Sequence, residues 1–273
     1  MNRTLKRILL GTGTIVLVIV ILFAGYMIKA KSEINKMSPV ETKEIVHGLF
    51  SIKDTFVNLY LIKDSSQYIA VDAGNDATNV SGELKKLEIN PDQIIAVLLT
   101  HTDGDHVAAL KLFKNAKVYL SKQEEALING KKSRFLFFGN KIDAKNYTTL
   151  YDGQNINIGK ISIKGILTPG HTPGSICYLV NDKYLFTGDA LSLKAGKVNK
   201  FNEFFNMDTK TAINSIAKIT QIPGAEYIFT AHYGYTNNYK NAVTGWESQA
   251  MKELKLLSLK NSCSCGNKDF YHR

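Results

Sequence analysis

The first pattern along the chain is an unbroken apolar one. From Ile8 to Ile28 there are 21 residues without a charge, including the wholly apolar run Ile15–Phe23. At ~1.5 Å of rise per residue, a helix of that length covers about 30 Å, the thickness of a bilayer core. Arg3, Lys6 and Arg7 precede it, and Lys29 and Lys31 follow it. A cleaved signal peptide has a shorter apolar region and a small-x-small cleavage site, and no convincing site of that kind stands around Ala24 or Ala30. The pattern predicts a basic tail over residues 1–7 and a retained single-pass transmembrane anchor over residues 8–28, with the lipid bilayer as its partner. Basic residues near the two ends are similar in number, so they barely decide orientation. A short basic tail before a first apolar segment resembles a signal anchor, which leaves the folded part extracytoplasmic.

Residues 29–44 are polar, carry Ser38 and Pro39, and read as a linker. The pattern then switches to short runs. Thr55–Ile62 and Gln67–Asp72 are β-branched and aromatic, separated by a hairpin-like break at Lys63–Ser66. Ala77–Leu87 reads as a helix, Ile94–Thr100 as a buried strand, Asp105–Phe113 as a helix and Lys117–Leu120 as a strand. Further strands are expected at Ile161–Leu167, Ile176–Val180, Tyr184–Thr187 and Tyr227–Ala231. Helices are expected over Thr209–Ile219 and after Tyr239. This order predicts an α/β domain over residues 45–260, with helices outside stacked sheets, and a polar tail over 261–273. No internal repeat is visible.

Composition refines this. With 273 residues, 44% apolar and 21% charged, the chain has material for a sizeable core, and global disorder is excluded. The net charge of +10 invites a nucleic-acid reading. Residues 1–36 carry six of the bases and one acid, leaving 28 bases against 23 acids elsewhere, with no dense basic run. No nucleic-acid partner is expected. Three cysteines, Cys177, Cys263 and Cys265, build no disulfide framework. Cys263 and Cys265 with His272 lack a full metal-ligand set.

The chemistry concentrates at strand ends. Ile94–Thr100 runs straight into His101, Asp103, Asp105 and His106, four ligand types within six residues. His101 and Asp103 are two apart and face one side of an extended loop. Asp105 and His106 open a helix, where a carboxylate is favoured. This arrangement presents one pair to each of two neighbouring cations. His171 lies in the turn Thr168–Gly174 after another strand, Asp189 follows Phe186–Gly188, and His232 follows Phe229–Ala231. Asp72 ends a further strand before a turn.

In this order the segments resemble the metallo-β-lactamase superfamily over residues 45–235. Its histidine-x-histidine-x-aspartate-histidine motif corresponds to His101-Thr-Asp103-Gly-Asp105-His106, with later ligands at His171, Asp189 and His232 and a structural aspartate at Asp72. The turn at Thr168–Ser175 is most similar to the glyoxalase II and lactonase branches. The resemblance implies a four-layer αββα sandwich. It also implies two divalent metal ions, zinc first, with manganese or iron as alternatives. His101, residue 103 and His171 would hold the first ion, and Asp105, His106 and His232 the second, with Asp189 bridging. Asp103 departs from the family's histidine, and its oxygen donor moves preference toward manganese or iron.

Two such cations activate a hydroxide for attack on a carbonyl or phosphoryl centre. Asp105 is the expected proton carrier, and Tyr233 or Tyr235 would stabilise a developing oxyanion. Lys194 is a weaker candidate for binding an anionic group. The aromatic segments Arg134–Phe138 and Phe201–Met207 would wall the site and suit an apolar or acyl small molecule. The expected activity is hydrolysis of an ester, lactone, thioester or amide. Asp103 keeps a phosphodiesterase or nuclease open as an alternative. A diiron redox centre and a silent membrane-displayed binding domain remain the further alternatives.

Overall fold

A computed structural model describes residues 3–135, 137–144 and 146–265. It divides into two compact units, Met1–Met37 and Ser38–Arg273. The first is one helix, α1 (Arg3–Ile34). Its stretch Leu10–Ile34 is long and apolar enough to cross a membrane. The helix therefore runs beyond the expected end at Ile28 and takes up the first part of the expected linker. Lys29 and Lys36, one turn to either side of Glu33, pair with its carboxylate and support that last stretch.

The second unit is built on two sheets. The first has seven strands in sequential order: β1 (Lys43–Val46), β2 (Leu49–Asp54), β3 (Val57–Asp64), β4 (Gln67–Val71), β5 (Ile94–Leu98), β6 (Lys117–Ser121) and β7 (Tyr147–Leu150). Strands β1 to β4 are antiparallel neighbours, and β4 to β7 are parallel ones. The second sheet contains β8 (Asn155–Ile158), β9 (Ile161–Leu167), β10 (Ile176–Val180), β11 (Tyr184–Phe186), β14 (Tyr227–Phe229) and β15 (Tyr235–Thr236). A separate hairpin joins β12 (Ser192–Lys194) to β13 (Lys197–Asn199).

Alternation along the strands divides the core. Tyr60, Ile62, Ile69, Val71, Ala96 and Leu98 of the first sheet meet Ile163, Ile176, Tyr178, Val180, Phe186 and Phe229 of the second. The intervening residues point outward. Leu59, Leu61, Ala70 and Val97 pack with Val80 and Leu84 of α2 (Ala77–Lys86). Cys177, Leu179, Leu185 and Ile228 pack with α5 (Thr209–Ile219), α6 (Tyr239–Val243) and α7 (Trp246–Cys265). Both faces of the central strands are covered, so β4, β5 and β10 read as continuous apolar runs rather than alternating ones.

Three expectations need correction. The helix expected over Asp105–Phe113 is only one turn, α3 (Gly104–Val107), followed by a tighter turn over Leu110–Leu112. The carbonyl of His106, which would continue the helix, instead accepts the amide of Ala73 (2.8 Å). The helix expected after Tyr239 breaks at Gly245, whose φ of +89° lies in the left-handed region. The tail expected from 261 is helical as far as Cys265. The side chains of Cys263 and Cys265, and all of His272, lie outside the described residues.

Phe186 is buried between the sheets, with its ring stacked 4.9 Å from Phe229 and tilted 5.4 Å from Tyr60. Phe186→Ala is expected to cost about 3–5 kcal/mol, read as a lower midpoint in chemical denaturation. A loss under about 1 kcal/mol would show that this core layer is not tightly packed.

Candidate metal centre

The candidate residues leave the sandwich from the ends of β4, β5, β9, β11 and β14. Asp72 follows β4 in the left-handed region (φ +62°), a conformation that aspartate tolerates better than most residues. Its buried carboxylate accepts the Thr100 amide (2.8 Å), the Thr100 hydroxyl (2.9 Å) and His106 Nδ1 (2.9 Å). Since the Thr100 proton goes to Asp72, its oxygen accepts from His101 Nδ1 (3.1 Å). The tautomer assigned from these partners puts the proton of both rings on Nδ1 and leaves Nε2 bare. His232 Nδ1 donates to the Phe56 carbonyl (2.7 Å), and His171 Nδ1 lies 3.3 Å from Asn206 Oδ1. All four imidazoles are thus held from behind and turn Nε2 inward, the arrangement that orients metal-ligating histidines.

Those nitrogens surround Asp189. Its Oδ1 lies 3.2 Å from His232 Nε2 and 3.6 Å from His106 Nε2. Its Oδ2 lies 3.5 Å from His171 Nε2 and 4.0 Å from His101 Nε2. Asp105 Oδ2 stands 3.4 Å from His232 Nε2, and Asp103 Oδ2 stands 3.0 Å from His171 Nε2. Three donor groups result, each with its atoms within 4.8 Å of one another: His101, Asp103 and His171; His101, His106 and Asp189; Asp105, His106 and His232. Gly188 makes this possible, because a Cβ there would fall 2.3 Å from Thr100 Oγ1, where the Asp189 loop crosses the β5 end.

Burial opposes charge on Asp189, but His232, His106 and His171 hold its carboxyl well below the usual carboxylate range. Burial also opposes a charged His106, yet Asp72, Asp105 and Asp189 push its imidazole well above the ordinary range. His232 rises too, with its burial outweighed by Asp189 and Asp105. His171 falls, because burial outweighs Asp103 and Asp189. A proton and a metal ion would compete for the same Nε2 atoms, and the carboxylates favour either cation.

The family model of the metallo-beta-lactamase superfamily matches residues 52–232, which span this whole constellation. The chain belongs to that superfamily. It is similar to the probable polyketide biosynthesis zinc-dependent hydrolase BaeB of Bacillus velezensis, 35% identical over 137 residues, 48% of this chain and 54% of that protein. It is also similar to the hydroxyacylglutathione hydrolase of Francisella tularensis subsp. novicida, 30% identical over 190 residues, 68% of this chain and 66% of that one. A solved metallo-beta-lactamase family protein from Thermus thermophilus shares the fold with a TM-score of 0.60 and 19% identity, covering 79% of this chain and 82% of that one. The chain spans about half the length of the two probable polyketide biosynthesis zinc-dependent hydrolases of Bacillus that it matches, 54% in each case.

Within this superfamily fold, His101, Asp103, Asp105, His106, His171, Asp189 and His232 all converge. Tyr233 is at the site's edge, its ring edge-on to Phe201 (6.0 Å) and 6.5 Å from His232. Tyr235 is not brought there: it stacks on Phe229 (5.6 Å) in the core between the sheets. Lys194 is exposed at the end of β12 beside Lys197, Asn199 and Glu253, away from the ligand cluster. Of the aromatic segments, Phe201 is buried edge-on against His171 (5.1 Å), whereas Phe137 and Phe138 are exposed.

Sequence reasoning missed several supports. Glu124 is fully buried and accepts from Thr102 N (2.9 Å), Thr102 Oγ1 (2.7 Å), Thr172 Oγ1 (2.7 Å) and Gly174 N (3.1 Å). It ties the His101 loop to the His171 loop. Ser121 three residues before it caps the turn that leads into α4 (Glu125–Ile128), and nothing local shows that the Glu124 carboxylate joins distant loops. Arg134, read as the edge of an aromatic run, instead pairs with Asp103 (Nη2 to Oδ2, 2.6 Å). Asn140 donates to Asp103 Oδ1 (2.9 Å).

Asp72→Ala would free the His106 ring from its rear partner. A fall of about 10–100-fold in metal affinity is expected, measured by competition with a chromophoric chelator. Unchanged affinity would show that Asp72 does not orient a ligand.

Proposed function

We propose that this chain is a metal-dependent hydrolase of acyl substrates, anchored to a membrane by its N-terminal helix. One observation carries the metal. Among the described residues, no hydrogen bond reaches His101 Nε2, His106 Nε2 or Asp189 Oδ1, all of them buried. An unsatisfied buried polar group costs about 1–3 kcal/mol, and a cation taking the lone pairs of His106 Nε2 and Asp189 Oδ1 would account for the convergence of those two atoms, while His101 Nε2 faces Asp103 Oδ2 at 3.6 Å. Imidazole nitrogen with carboxylate oxygen suits zinc, with manganese and iron as alternatives. Asp105, His106 and His232, with Asp189 Oδ1, would hold it. A divalent ion held by these residues would supply Lewis acidity, favouring a deprotonated water at neutral pH and a polarised substrate carbonyl.

The chain's own residues supply the rest. Asp105, 21% exposed against 5% for Asp189, is placed to receive the water's proton and pass it to the leaving group. Tyr233 is the candidate donor to the oxygen that gains charge. Phe56, whose ring stacks 5.8 Å from His232, and Phe201, 5.9 Å from the same ring, give this side an apolar wall. Such a wall favours an acyl group over a phosphodiester. The names of the relatives, a zinc-dependent hydrolase and a hydroxyacylglutathione hydrolase, support an acyl thioester as the first substrate to test, ahead of esters, lactones and amides.

Hydrolysis of acyl thioesters and lactones should disappear on chelation and return with zinc, and Asp105→Asn should lower kcat by about 10²–10⁴. Turnover of a phosphodiester with none of an acyl substrate would replace this reading by a nuclease-type one. For the anchor, the membrane-derived protein should resist alkaline extraction and keep residues 1–37 by intact mass. A shorter, extractable chain would make the helix a signal sequence.

A further inference from the structure

The first donor group already holds a cation of the protein's own. Arg134 Nε donates to Asp103 Oδ1 (2.8 Å) and Oδ2 (3.0 Å), and its Nη2 donates to Oδ2 (2.6 Å). This is a two-nitrogen clasp of one carboxylate, the geometry that arginine makes best. The same Nη2 lies 3.3 Å from His171 Nε2 and donates to the Phe205 carbonyl (2.8 Å). The guanidinium thus reaches two of the three atoms that would hold a first metal ion, and the Phe205 carbonyl ties it in place. Asn140 takes a further position on Asp103 Oδ1. A dication bonded to the same Asp103 and His171 atoms would stand against a fixed like charge.

The second group is different. Among the described residues, the ion-pair partners of Asp105 and Asp189 are histidines, with no lysine or arginine. Two carboxylates without a basic side chain match one dication, whereas Asp103 is matched by Arg134. Three inward carboxylates balance one guanidinium and one divalent ion. Two divalent ions beside Arg134 would leave the buried site with excess positive charge, a costly state in a low-dielectric interior.

We propose that Arg134 takes the place of the first metal ion, so that the chain holds a single divalent ion at Asp105, His106, Asp189 and His232. The proposal rests on the metal-dependent reading above. It assigns Arg134 as a positioning residue that locks Asp103 and His171 as a fixed wall beside the ion. It also explains why aspartate stands at 103. A neutral imidazole there would have offered the guanidinium no charge.

The test is metal stoichiometry on the full chain in detergent. The protein is loaded with excess zinc, desalted and measured by elemental analysis, with a parallel cobalt(II) titration followed by absorbance. Wild type should hold one zinc, with cobalt absorbance saturating at one equivalent. Arg134→Ala and the bulkier Arg134→Met, checked for folding by circular dichroism, should rise to two. Two equivalents on wild type, or one on both folded variants, would overturn the proposal. The wild-type count alone still decides against it if neither variant folds. Two ions on wild type leave the metal-dependent reading standing, whereas no zinc and no cobalt on wild type would overturn that reading together with the proposal.

Discussion

Three carboxylates, Asp103, Asp105 and Asp189, converge with four imidazoles at one end of a β-sandwich whose interior is apolar. Negative charge in such a place has to be matched by nearby cations or it empties itself by taking up protons. Much of the surrounding structure answers that requirement. The histidines commit Nδ1 to rear partners, so that their remaining lone pairs share the space with the carboxylates. Arg134 reaches in from a loop to clasp one carboxylate. Asp189 faces a different histidine pair with each oxygen, which makes it the hinge between the two halves.

The sandwich brings these groups together by strand parity. Strands β4, β5, β11 and β14 bury one set of residues between the sheets and the other beneath helices, while β9 is covered on its outer face only at Ile166, with Ser162 and Lys164 exposed. The residues just past each strand end are then delivered to a set position. The loops are further fixed by buried acids that do not face the cation space. Asp72 joins the β4 and β5 ends to His106, and Glu124 joins the His101 loop to the His171 loop. Gly174 permits that second tie, because a Cβ there would lie 2.2 Å from the Glu124 amide. An enzyme site built this way is rigid before any ligand arrives, which keeps ordering costs out of binding.

Family membership places a hydrolytic frame around the site, while the chain's own departures give it character. Phe56, Phe201 and Tyr233 gather on the His232 side. Asp103 and Arg134 occupy the other. One half is shaped like an apolar reception area beside an open carboxylate, Asp105, and the other is closed by an ion pair. A substrate would therefore meet chemically unequal halves.

The sequence by itself determined the apolar helix, most core strands and the seven converging ligand types, because strand burial and motif spacing are local properties. His101, Asp103, Asp105 and His106 lie within six residues, and their neighbours along the chain announce them. The resemblance to the family also implied a structural role for Asp72, which by its own surroundings read only as the end of a strand before a turn. Only the tertiary structure decided what those groups face. The Asp103–Arg134 pair joins residues 31 apart, and the Glu124–Gly174 contact joins residues 50 apart. Neither has a local signature, since Arg134 lies in an aromatic run and Glu124 in an ordinary turn. The truncated helix after His106 has the same origin: a carbonyl that local propensity would give to the helix goes to Ala73, at the end of another strand. Hydrogen bonds and charges are settled by whichever partner the fold brings near, and spacing along the chain does not encode that choice.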